Sequence, residues 1–200
     1  MRQSLLRWIE RGLLVIGVGL GLWAATMLIE AKYVAMMPVP EPPAISSPAP
    51  APIVAPATGG WVARLDAPSV HLSATVLEGS DDGTLARGAG HIEYTPLPGQ
   101  DGNVGIAGHR DTTFRVTERL RTGDVIELTT SDRIYRYIVT RTFVVEPEDV
   151  YVLDPGDRPM LTLVTCYPFT FIGHAPHRYI IQGVLVDQTP RHGILIATRQ

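Results

Sequence analysis

A chain of 200 residues with one cysteine and six histidines has few candidates for nucleophilic chemistry. Cys166 ends the stretch Leu161-Thr162-Leu163-Val164-Thr165, and Pro168 follows two residues later. A thiol acts as a nucleophile only when something holds or creates the thiolate and something protonates the leaving group. It also needs a donor for the oxyanion of the tetrahedral intermediate. Histidine suits the acid–base role because its pKa lies nearest neutrality. Among the six, His71 and His91 fall in or near strand-like runs, His174 and His177 in a loop, and His192 in the tail. His109 differs, because it ends the small-residue run Gly105-Ile106-Ala107-Gly108, whose glycines permit close backbone approach. Arg178 opens the run His177 to Gly183, and an arginine offers five donors to a carbonyl or an oxyanion. Each residue also has a plain reading: a buried cysteine packs as a small hydrophobe, a lone histidine is usually structural, and most arginines are surface charges. Spacing along the chain shows no contact between His109 and Cys166, so both readings stay open here. A zinc site from Cys166, His174, His177 and His109 is disfavoured, because no second cysteine accompanies the first and Ala-Pro lies between the two histidines.

These residues need elements to position them. Leu161 to Cys166 is β-branched and apolar, which predicts a strand that Pro168 must end. Similar runs predict strands at Trp61 to Leu65, Val70 to Leu77, Val104 to Gly108, Val125 to Thr129, Ile134 to Val145 and Arg178 to Val186. Asp81 to Leu85 predicts one helical turn, Phe114 to Leu120 about two, and Glu146 to Pro159 a polar connection. Seven or eight short strands with little helix predict an all-β barrel or sandwich. If the strands from Leu161 and Arg178 pair as neighbours, Cys166 and Arg178 share one end of the hairpin.

The N-terminal quarter is of another kind. Gly12 to Ile29 carries no charge, and at 1.5 Å per residue such a run spans about 27 Å, close to the hydrocarbon thickness of a bilayer. Three arginines precede it, so the positive-inside rule places the N-terminus in the cytoplasm and the rest outside. A cleaved signal peptide is the competing reading, but it has a shorter apolar region and a clearer small-residue cleavage site. Eight prolines between Pro38 and Pro56 predict an extended polyproline spacer. The expected organisation is a cytoplasmic segment 1–11, a membrane anchor 12–30, a linker 31–59, a catalytic barrel 60–188 and a tail 189–200. A lone cysteine outside the cytoplasm cannot form a disulfide within the chain. The net charge of −3, without a basic block, argues against nucleic acid as a partner.

The set Thr162-Leu163-Val164-Thr165-Cys166, Gly108-His109-Arg110 upstream and Arg178 downstream resembles the sortases, bacterial cysteine transpeptidases with a TLxTC signature. Asn103 after Pro98-Gly99, and Gly123-Asp124 before a strand, fit the same resemblance. It covers Trp61 to Val186, and the continuation Tyr167-Pro168-Phe169 is most similar to class D, with class E next. The resemblance implies an eight-stranded β-barrel with short helices, preceded by a single transmembrane helix in the bacterial plasma membrane. It implies Cys166 as nucleophile, His109 as acid and base, and Arg178 as carbonyl and oxyanion donor. The implied substrate is a protein with a C-terminal LPxTG-like sorting signal, cut between Thr and Gly and passed to an amine on the cell surface. Thr165, Tyr167 and Phe169 are the implied substrate-side residues. Neither cofactor nor metal is expected, although Glu146, Glu148 and Asp149 stand close in the chain. Asp111 is read as a turn carboxylate rather than a third catalytic member. Two alternatives remain: another extracytoplasmic cysteine peptidase or transpeptidase, and a catalytically inactive β-barrel that binds surface partners.

Overall fold

A computed structural model describes residues 2–40, 54–170 and 173–191. Most of the proline-rich segment, Phe171, Ile172 and the tail from His192 lie outside the described residues. The N-terminal helix α1 (Arg2–Ala35) contains a 24-residue stretch, Arg11–Val34, with mean hydropathy 2.2, long and apolar enough to cross a membrane. Its last turn meets the barrel at Val34, whose carbonyl accepts a 2.7 Å hydrogen bond from the Thr75 hydroxyl.

Eight strands follow: β1 (Trp61–Ala67), β2 (Leu72–Glu78), β3 (Ala89–His91), β4 (Asn103–Ala107), β5 (Val125–Thr129), β6 (Arg133–Val145), β7 (Met160–Tyr167) and β8 (His177–Pro190). They close into a barrel in the order β1-β2-β3-β4-β7-β8-β6-β5, the eight-stranded architecture that was expected. One four-residue helix, α2 (Asp82–Leu85), and three 3-10 turns (Pro68–Val70, Arg115–Arg119, Val150–Leu153) complete the domain. The run expected to make about two helical turns near Phe114 is helical, as a 3-10 helix over Arg115–Arg119. The polar connection before β7 contains another.

Alternation decides what faces the core. Leu161 and Leu163 of β7, Val104 and Ile106 of β4, and Ile181 of β8 point inward, joining Leu65, Ile126, Leu128 and Tyr137 in one cluster. The residues between them point outward. There Val164 and Ile180 form a second cluster with Val145 and Val152, under the turn Val150–Leu153. Gly105 has no side chain for the same reason, since a Cβ there would lie 3.0 Å from Leu153.

A buried polar knot pins that turn. Asn103 donates from Nδ2 to the carbonyls of Val152 (3.0 Å) and Asp154 (3.1 Å) and accepts from the Thr162 hydroxyl (2.8 Å). The Gln182 amide donates to the Val152 carbonyl (2.7 Å) and to Thr162 Oγ1 (3.2 Å). Asn103 is 1% exposed, so Asn103→Ala strands buried partners rather than merely losing a bond. We expect it to destabilise the barrel by about 2–3 kcal/mol, read as a lower urea midpoint with an unchanged slope.

Candidate active site

The strand register sets Cys166 opposite Arg178 and leads β4 towards them. In β7–β8, Cys166 lies directly opposite Arg178, two residues beyond the Val164–Ile180 pair of the outer cluster. In the parallel β4–β7 pair, Ala107 is opposite Val164. The Gly108 amide extends that ladder by donating to the Val164 carbonyl at 3.1 Å. Counting on by two, His109 comes level with Cys166. Cys166 and Arg178 thus face each other across β7–β8, and His109, two residues past the end of β4, continues on the neighbouring chain on the other side of β7. All three are half-buried, beyond the end of the face that the turn Val150–Leu153 covers.

Each is held by local chemistry. β7 ends at Tyr167, so Cys166 is the last residue but one of its strand. His109 leaves β4 over Gly108, where a Cβ would come within 2.7 Å of the fully buried Phe114 ring. The absent side chain makes room for Phe114, rather than beside the histidine ring. The Phe114 amide in turn donates to the His109 carbonyl at 2.8 Å. Arg178 Nη1 donates to the carbonyls of His177 (3.0 Å) and Ala175 (3.4 Å).

The expected substrate-side residues lie differently. Thr165 is buried on the opposite face of β7 from Cys166, and its hydroxyl donates to the Gly108 carbonyl at 2.7 Å. Tyr167 stacks on Tyr179 with ring centroids 6.0 Å apart, and Phe169 meets Tyr179 edge-on at 5.3 Å. The three rings form one cluster, with Tyr167 and Phe169 also meeting edge-on at 6.1 Å.

The other histidines have structural partners or lie apart. His91 is 2% exposed, its Nδ1 facing Glu78 at 2.9 Å and its Nε2 facing the Pro96 carbonyl at 3.1 Å. His177 faces Glu146 at 3.3 Å across the rim, and His174 is exposed in the β7–β8 loop. His192 lies outside the described residues. Asp149 is turned inward to accept from the Glu146 amide at 3.0 Å. Among the described residues, no three His, Cys, Asp or Glu side chains gather as metal ligands would.

The family model described as the sortase domain matches residues 65–186, well over half of the chain. The chain belongs to the sortase family. Sortase D of Bacillus subtilis (strain 168) is 36% identical over 129 residues, covering 64% of this chain and 65% of that protein. Sortase A of Bacillus anthracis is 30% identical over 129 residues, covering 62% and 60%. This sortase therefore spans just under two thirds of the length of the relatives it matches. Among solved structures, a Clostridium perfringens sortase D5 transpeptidase superposes with a TM-score of 0.60 at 33% identity, covering 65% of this chain and 81% of that one. Sortase E1 from Streptomyces coelicolor, solved with a tripeptide in its active site, gives 0.61 at 31% identity, covering 66% and 92%. Class D and class E members thus both stand among the relatives of this sortase.

Residue types alone did not point to Phe114, Thr165's bond to Gly108, or the Asn103 knot as supports of the site. Gly108 was the one available signal, and what fills the space above it cannot be read from spacing.

Proposed function

We propose that this sortase is a membrane-anchored cysteine transpeptidase that cleaves an LPxTG-like sorting signal between Thr and Gly. The observation that carries the reading is Cys166 of β7 directly opposite Arg178 of β8, with His109 two residues past the end of β4, the strand that pairs with β7. The Cys166 thiolate attacks the threonine carbonyl carbon, and the carbonyl electrons move onto its oxygen. Arg178 donates to that oxyanion. Collapse of the intermediate breaks the Thr–Gly C–N bond, and the His109 imidazolium gives its proton to the departing glycine amine. The thioester is then attacked by a surface amine, whose proton passes to His109 as the Cys166 thiolate leaves. Thr165 supports this from beneath by fixing Gly108, while Tyr167 and Phe169 cluster with Tyr179.

Helix α1 supplies the anchor in this reading. Arg2, Arg7 and Arg11 hold its start in the cytoplasm, and the catalytic domain lies outside the plasma membrane. The proline-rich segment joins helix to barrel.

Intact-mass spectrometry of the full chain in detergent micelles, given an LPxTG peptide and then a small amine, tests the proposal. The expected result is an acyl adduct on Cys166 that is released as amine-ligated peptide. No adduct with LPxTG or LAxTG peptides, from folded protein with a reactive thiol, shifts the reading to another cysteine enzyme or to a binding barrel.

A further inference from the structure

Two arginines on opposite sides of Cys166 hold the same loop. The segment 168–176 joins β7 to β8. Arg178 donates to its far end at the Ala175 carbonyl (3.4 Å) and to the carbonyl of its own neighbour His177 (3.0 Å) at the start of β8. Arg110, the residue after His109, reaches across from the β4 side and donates from Nη2 to the Gly173 carbonyl at 2.9 Å. Gly173 sits at φ +94°, in the left-handed region where a side chain is strained, with no atom of the described residues within 4 Å of an added Cβ. Conformation rather than crowding therefore makes this position a glycine, and that conformation aims its carbonyl at Arg110.

Arg178 makes both contacts through Nη1, so Nη2 and Nε can turn to a substrate carbonyl while the loop is held. The Arg110–Gly173 contact adds a second hold on the loop from the β4 side. We propose that Arg110 is a positioning residue: it latches the 173–176 end of the β7–β8 loop to the segment carrying His109, so that this end keeps its place while Arg178 engages the substrate. This rests on the transpeptidase reading. Arg110 touches no reacting atom in this role, so its loss acts on substrate capture.

The test compares the full chain in detergent micelles with Arg110→Met, Arg110→Lys, Gly173→Ala and the Arg110→Met/Gly173→Ala double variant. Arg110→Met and Gly173→Ala are each expected to raise KM for the sorting peptide roughly tenfold with kcat within about twofold, and the double variant to be no worse than either. Arg110→Lys, keeping one donor, recovers part of the loss. Amide hydrogen exchange across residues 168–176 rises in both single variants, and the pH profile of Cys166 alkylation by iodoacetamide stays put. Unchanged loop exchange in Arg110→Met, multiplicative losses in the double variant, or a shifted alkylation profile would each overturn the latch, the last by making Arg110 a charge acting on the thiol. If the wild-type chain transfers no peptide, the transpeptidase reading fails, and the exchange measurement still decides whether Arg110 holds the loop.

Discussion

Cys166→Ala leaves a folded barrel that forms no acyl adduct. Removing a nucleophile of this kind costs at least about ten-thousandfold in turnover, because the residual binding groups cannot replace covalent chemistry. Stability should scarcely change. The side chain is half-buried at a strand end, and alanine forfeits only the sulfur's contacts. The thermal midpoint is expected to stay within about 3 °C, since that shift corresponds to under 1 kcal/mol in a domain this size. Peptide turnover, intact mass and a thermal melt on one preparation check the prediction. Persistent ligation by Cys166→Ala would mean the nucleophile lies elsewhere.

Arg178→Lys is the second large effect, and the more instructive one. Charge is kept, but the planar fork becomes a single ammonium on a flexible stem. Opposite Cys166, the fork can serve loop carbonyls and a developing oxyanion together, whereas one ammonium must choose. We expect acylation to slow by about 10²–10³, the usual cost of an oxyanion donor. Peptide KM and the rate of Cys166 alkylation should change far less. Rapid-quench acylation beside iodoacetamide kinetics separates these outcomes. An equal loss in both would show that Arg178 serves to activate the thiol instead.

The barrel was legible because its longer strands announce themselves. Leu161 to Cys166 and Ile134 to Val145 carry branched and aromatic residues at strand spacing. β3 escaped because Ala89-Gly90-His91 has no strand-forming residue. Its three pairings with β2 and two with β4 are imposed by its neighbours. β8 runs to Pro190, past the expected end near Val186, because Asp187, Gln188 and Thr189 pair with the start of β6. Those polar residues face solvent on an extended arm, and no apolar alternation marks them.

Reactive residues could be nominated from type, yet what assembles them is non-local. Nothing near His109 in the chain says that β4 and β7 run parallel in the register Ala107–Val164. Thr165 shows the same limit. A threonine beside a nucleophile invites a role at the substrate, while the fold turns its hydroxyl inward to Gly108. Its neighbour points outward only because strand side chains alternate.

Barrel closure also sets when this protein can become active. β4 is made early, β7 more than fifty residues later, and β8, which brings Arg178, last of the strands. β7 without β8 has one unpaired edge, and β6 has another, so the outer face cannot form piecemeal. Contacts this distant in sequence form late and slowly, after the entropy of closing long loops has been met. During synthesis the thiol therefore emerges before the arginine that would complete its site. The order of the strands thus means that the outer face around Cys166 is completed only when the final hairpin inserts.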